Sequence, residues 1–206
     1  MKRYISFKSA AVFLVTYLAL LGLSLQFGHQ FVDLLLPVYH WEISHLMPDY
    51  QILNLGLQDH RGESVIALNL KLVHTLVVEG HMIFPGGHIS CSTLAGHTLQ
   101  NAVLMLSLLA AWPANIYRRF VMLMIAAPIL LLVEMLDTPL MLTGSIDDLI
   151  IANVAPYASS LSVYWMHFLD GGGRLALSIF GALLAVGIGK TLSRLTPVQR
   201  SLMPTV

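Results

Sequence analysis

Residues 120–142 read FVMLMIAAPILLLVEMLDTPLML, a run in which only Glu134 and Asp137 are charged. A helix that crosses a bilayer needs about 20 mostly apolar residues. This stretch has that length, and its two acids fall in its second half. Three further windows qualify on the same criterion. One covers 9–27, one covers 93–112 with AVLMLSLLAAW, and one covers 173–192 with LALSIFGALLAVGIG. The expected fold is therefore an α-helical integral membrane protein with four transmembrane helices.

Composition agrees. Of 206 residues, 56% are hydrophobic and 11% are charged, and the mean hydropathy is +0.74. Soluble domains carry about 25% charged residues. Acids and bases balance at 11 each, so no net field points to nucleic acid. The expected partners are the lipid bilayer and other membrane protein subunits. The length suits one polytopic domain, and no internal repeat or linker interrupts it. A single cysteine, Cys91, excludes an intrachain disulfide.

The opening Met1-Lys2-Arg3 before an apolar run has the look of a signal peptide. The apolar stretch from Ala10 to Leu25 exceeds an h-region of about 7–15 residues. It is followed by Gln26-Phe27-Gly28-His29 and not by a small-x-small cleavage site. The expectation is a retained anchor.

Basic residues set the orientation. Lys2, Arg3 and Lys8 precede the first window. Arg118 and Arg119 lie between the second and third, and Lys190, Arg194 and Arg200 end or follow the fourth. With four spans these eight of the 11 basic residues share one side, which is the cytoplasm. Both termini then lie inside, in the inner (cytoplasmic) membrane of a bacterium. The extracytoplasmic segments are 28–92 and 144–172. All nine histidines fall outside the cytoplasmic segments. Trp112 and Tyr117 suit a cytoplasmic interface belt.

Within the first outer segment, YQILNLGLQ (50–58) and ESVIALNLKLVHTLVV (63–78) flank Asp59-His60-Arg61-Gly62. Leu68, Leu70 and Leu72 alternate with Asn69 and Lys71, a period of two. The expectation is a small β-hairpin subdomain. Phe31 to Trp41 reads as an apolar, aromatic interfacial stretch. The second outer segment holds Tyr157, Tyr164, Trp165 and Phe168, and suggests a short re-entrant or surface-lying helix.

Candidate chemistry begins with Glu134 and Asp137. An acid at the centre of a span costs about 2.5–3.5 kcal/mol on insertion scales. Three positions apart, the two share one helix face. They stand about 22 and 27 Å along the helix from Arg119, in its outer half. Pro139 beyond them opens the local hydrogen-bond ladder. His97, Gln100 and Asn101 on the second span reach the same depth, as do Asp170 and Arg174 at the fourth. Arg174 is the natural counter-ion. The set reads as a structural knot, as a ligand or partner site, or as catalytic machinery.

Cys91 lies in GGHISCSTLAGH. A thiolate nucleophile needs a nearby base or positive charge, and His88, His97 and His167 share its side of the membrane. The spacings of His81, His88 and His97 match no common metal motif. The ten methionines show no M-x-x-M pattern, so neither metal nor other cofactor is expected. Gly181, Ala185 and Gly189 form a small-xxx-small stripe that permits close helix packing.

The order Cys91, polar third span, His167 resembles the exosortase and archaeosortase family over residues 80–190. Those are membrane-embedded cysteine transpeptidases with a C-S-G-like motif, an N-x-x-R motif and a histidine opening successive spans. The resemblance implies a catalytic Cys91 and His167. Glu134 and Asp137 stand where that family has Asn and Arg. An acid there raises a thiol's pKa and does not lower it, so the pattern is closer to an accessory membrane protein of such a system. Phe84-Pro85-Gly86-Gly87-His88 and His167-x-x-Asp170 also resemble motifs of type 2 phosphatidic acid phosphatases. The nucleophile-side serine and the phosphate-binding cations of that class are missing.

The function expected is a non-catalytic accessory or structural subunit of a membrane complex. The alternatives are an exosortase-like cysteine peptidase and a small proton- or cation-coupled carrier using Glu134 and Asp137.

Overall fold

A computed structural model describes residues 7–195. Lys2, Arg3 and Arg200, part of the expected charge asymmetry, lie outside these residues, as does the side chain of Arg194. The chain is mostly helical, with a small sheet. Three helical stretches are long and apolar enough to cross a membrane: Phe7–Leu46, Ile116–Val154 and Leu161–Leu192. Helices of this length and composition suggest a multi-pass membrane protein.

Helix α1 runs Phe7–Leu46, far past the expected end at 27. Its 40 residues rise about 60 Å. The second half is amphipathic and not merely interfacial. Gly28, Val32, Leu35, Tyr39 and Ile43 are buried at helical spacing. Pro37 sits inside the helix and costs one ladder bond, which the buried stripe offsets. No residue of the first half, 7–27, is buried by protein.

Strands β1 (Tyr50–His60), β2 (Glu63–Leu72) and β5 (His88–Leu94) form an antiparallel sheet in the order β1-β2-β5. The expected hairpin is thus a three-stranded sheet, because 88–94 pairs with β2 and does not open the next helix. Arg61 and Gly62 turn with φ of 55° and 84°, the paired positive values of a two-residue hairpin turn. The β1–β2 register runs from Tyr50↔Leu72 to His60↔Glu63, with a bulge between Ile52 and Asn54. Ile66, Leu68, Leu70 and Leu72 point inward and are buried, as the period of two requires. A second hairpin, β3 (Leu76–Val78) with β4 (His81–Ile83), follows β2.

Helix α2 spans Ala95–Ala111. Trp112, ahead of Pro113, is extended with ψ of 130°, as a residue before proline prefers. Helix α3 spans Ile116–Val154, against an expected 120–142. Asn115 caps its start, accepting from the Arg118 amide at 3.0 Å. It passes through Pro128 and Pro139 without ending. The short helix expected within 144–172 is α4, Leu161–Phe168. A kink at Leu169–Gly173 joins it to α5, Arg174–Leu195. Gly172 has φ of 108° there, a conformation that other residues rarely adopt.

Two apolar cores result. One joins Val32, Tyr39 and Ile43 of α1, Ile66, Leu68 and Leu70 of β2, and Leu142 and Ile146 of α3. The other joins Met105 and Leu109 of α2, Met122 and Ala126 of α3, and Ala182 and Ala185 of α5. The small-residue stripe serves the second core. A Cβ on Gly189 would lie 2.8 Å from Met122 Cγ, so only glycine allows α5 this close to α3.

Candidate functional site

Between the two cores lies a buried polar network supplied by four helices. Helix α3 contributes Glu134, Asp137 and Thr138. Helix α2 contributes Thr98 and Asn101, α5 contributes Arg174 and Ser178, and α1 contributes Tyr39. Glu134 and Asp137 are 0% exposed and Arg174 is 6% exposed. The i, i+3 spacing on α3 turns both acids to the same side, as expected.

Asp137 is fully satisfied. Arg174 Nε donates to its Oδ1 at 2.8 Å, and Asn101 Nδ2 donates to its Oδ2 at 2.6 Å. The expected counter-ion role of Arg174 is therefore realised, with Asp137 as the partner. Ser178 Oγ lies 2.8 Å from Asn101 Oδ1 and 3.0 Å from the Arg174 carbonyl. Its single proton serves one of them at a time. This arrangement fixes the amide orientation of Asn101, nitrogen toward the carboxylate and oxygen toward the hydroxyl.

Glu134 is served differently. Tyr39 donates its hydroxyl to Oε2 at 3.1 Å. Oε1 is buried and has no hydrogen-bond partner among the described residues. Arg174 Nη2 is likewise buried without a hydrogen-bond partner among them, 3.7 Å from Asp170 Oδ1. Arg174 Nη1 contacts His97 Nδ1. A guanidinium has no acceptor, so that ring nitrogen accepts and carries no proton. Thr98 and Thr138 close the network, their hydroxyls 2.9 Å apart.

Of the expected cluster, Glu134, Asp137, His97, Asn101 and Arg174 come together. Gln100 is half-buried on α2 and stays outside the network, because it faces another side of the helix. Tyr39, Thr98, Thr138 and Ser178 belong to the site but were not expected. Ser178 is one turn from Arg174 and Thr138 one residue from Asp137, so polar side chains in apolar helices were the available signal. Tyr39 had none, since its segment read as interfacial.

Cys91 lies on β5, paired with Leu68, and packs against the first core. Its thiol donates to the Leu142 carbonyl at 3.5 Å. Burial pushes the thiol up to about 12. His167 is exposed in the last turn of α4, and the Cys91 thiol is turned to α3 and not to it. The nearest histidine in sequence, His88, is exposed at the start of β5. His97 is engaged by Arg174 instead. His81, His88 and His97 sit on three different elements. Among the described residues no group of three His, Cys, Asp or Glu side chains converges in a metal-binding arrangement.

A second polar contact ties α4 to α3. Ser160 donates to Asp147 Oδ2 at 3.1 Å, and Ser162 donates to the same oxygen. Trp165 Nε1 donates to the Leu136 carbonyl at 2.7 Å, next to the acids. Beside this contact is a cleft lined by Met47, Tyr50, Leu76, Thr143 and Asp147. Burial, with Asp147 and Asp49 nearby, pushes the Tyr50 phenol up to about 12. Compared with family models, curated proteins and solved structures, the chain matches none.

Proposed function

We propose that this chain is a non-catalytic accessory subunit of a membrane protein complex. It crosses the cytoplasmic membrane four times with both termini inside, and it meets partner subunits through its outer sheet end and its helices. The observation that carries this reading is how the reactive groups are used. Asp137 and Arg174 neutralise each other across α3 and α5, and the Cys91 hydrogen goes to a backbone carbonyl. A peptidase would need that thiol as a thiolate beside a base.

The fourth span in this reading is α2. It packs on both α3 and α5, and its 17 residues rise about 26 Å, close to the roughly 30 Å of hydrocarbon. Arg118, Arg119 and Lys190 cluster at the end of the bundle away from the sheet, which supports a cytoplasmic assignment for that end.

The test is purification of the tagged chain in mild detergent, followed by native mass spectrometry. The expected result is a stoichiometric complex with other membrane subunits, unchanged in Cys91→Ala. A chain that runs alone, and a cellular phenotype abolished by Cys91→Ala, would overturn the reading in favour of the exosortase-like peptidase. A carrier reading draws on one observation, the unpartnered buried oxygen of Glu134. Proton or cation uptake by proteoliposomes containing the chain alone tests it.

A further inference from the structure

The polar network holds more acid than base. Arg174 is the one cation in it among the described residues, and its Nε is committed to Asp137 at 2.8 Å. Glu134 is equally buried, and among the described residues no cation lies within 4.0 Å of its carboxyl. The groups around it come from every element packed there. Tyr39 reaches it from α1, Asn101 and His97 face the cluster from α2, Asp137 shares α3, and Arg174 comes from α5 with Asp170 beyond it. His97 presents an accepting nitrogen to Arg174 and so brings no positive charge. One negative charge is left uncompensated if both carboxyls are ionised. An unpaired buried charge is the arrangement that folded proteins avoid most strongly.

The hydrogen bonds point the same way. Tyr39 supplies a donor to Oε2, while Oε1 has no hydrogen-bond partner among the described residues. A carboxylate in a buried site is expected to collect donors at both oxygens, as Asp137 does.

We infer that Glu134 is a proton-binding site. The carboxyl carries a proton on Oε1, accepts the Tyr39 hydroxyl at Oε2, and stays uncharged while Arg174 serves Asp137. Release of that proton would set two carboxylates against one guanidinium. Arg174 Nη2 is buried, without a hydrogen bond among the described residues, and lies 3.7 Å from Asp170 Oδ1. Arg174 directly follows the kink containing Gly171, Gly172 and Gly173, where α4 and α5 meet. The inference does not depend on the accessory reading, since the site exists whether or not the chain has a partner.

Infrared spectroscopy of the full chain in lipid nanodiscs at pH 9, where the half-buried Glu42 is ionised, tests it. The expected spectrum has the carbonyl stretch of a protonated carboxyl, moved to lower frequency in D2O. That band is lost in Glu134→Gln and kept in Glu42→Gln, which removes the other carboxyl with a buried, unpartnered oxygen. If Glu134→Gln fails to fold, Glu134→Asp keeps a carboxyl on a shorter stem and should shift the band without removing it. The inference is overturned by absence of the band in the unmodified chain, or by its survival in Glu134→Gln. It is also overturned if exchanging choline for sodium at constant pH removes the band, because a metal ion would then supply the missing charge.

Discussion

Arg174 and Asp137 show how much depends on single atoms in this molecule. Removing one partner of a buried ion pair leaves the other charge stranded, at a cost of about 3–5 kcal/mol. Arg174→Gln is expected to destabilise the chain by that amount in detergent unfolding. Arg174→Gln combined with Asp137→Asn should recover part of it, because no bare charge remains. A double mutant as unstable as the sum of the two single mutants would mean that the groups act separately. Cys91 makes a second prediction. A thiol whose folded pKa lies above its unfolded value stabilises the fold fully at lower pH, and that contribution is lost as pH rises. The window runs from the ordinary value of 9.0 to about 12, and Tyr50, raised from 10.0 to about 12, acts in the same direction. Stability should therefore fall on the alkaline side, with Cys91→Ser removing part of the slope. At pH 7.5 the thiol should react slowly with maleimide in the folded chain and rapidly once the chain is unfolded in SDS.

At the scale of the elements, the packing of α5 on α3 depends on Gly189. Gly189→Leu is expected to destabilise the bundle by about 1–3 kcal/mol through overpacking, because its Cβ alone would come within 2.8 Å of Met122. Gly187 lies on the same helix, but a Cβ added there would meet nothing within 4 Å, so it should accept alanine without loss. Thermal unfolding of the two variants in detergent gives the comparison. The sequence carries this difference only as a repeat of small residues, and which glycine faces a neighbour depends on packing. Apolar length made the membrane helices legible, and β2 was legible from alternation. The second half of α1 was not, because Pro37, Asp33 and Glu42 break the apolar run while the buried face continues. Strand β5 was also missed. Its inward residues, Ile89, Cys91 and Thr93, are followed at once by a helix, so part of its seven residues read as the opening of a span. For the site, charge within an apolar helix found Glu134 and Asp137. Tyr39 comes from 95 residues away, a contact that only the tertiary fold creates.

On the scale of the whole molecule, the two halves of α1 are held to different degrees. The second half of α1 is built into the sheet core through Val32, Leu35, Tyr39 and Ile43. The first half has no buried residue, and its hydroxyl side chains turn back on their own helix. Thr16 donates to the Val12 carbonyl and Ser24 to the Leu21 carbonyl. Lipid tails are as apolar as leucine, so an apolar helix gains little by packing on its own bundle unless shape or hydrogen bonds favour it. The first half therefore leans on the rest of the chain only through a partly buried stripe, Ser9, Phe13, Thr16, Tyr17, Leu20 and Ser24. Replacing the exposed positions of 9–27 with leucine and alanine, with that stripe kept, is expected to leave the thermal midpoint in detergent unchanged. Val32→Ala, only a few residues further along the same helix, removes buried methyl groups and should lower stability by roughly 1–3 kcal/mol. If the span replacement lowers the midpoint as much as Val32→Ala, the first half must be held by contacts that the isolated chain makes in lipid. If the midpoint is unchanged, the same variant reports on assembly. Co-purification of partner subunits would then place their grip on the sheet end, and its loss would place it on the exposed side of the first half of α1.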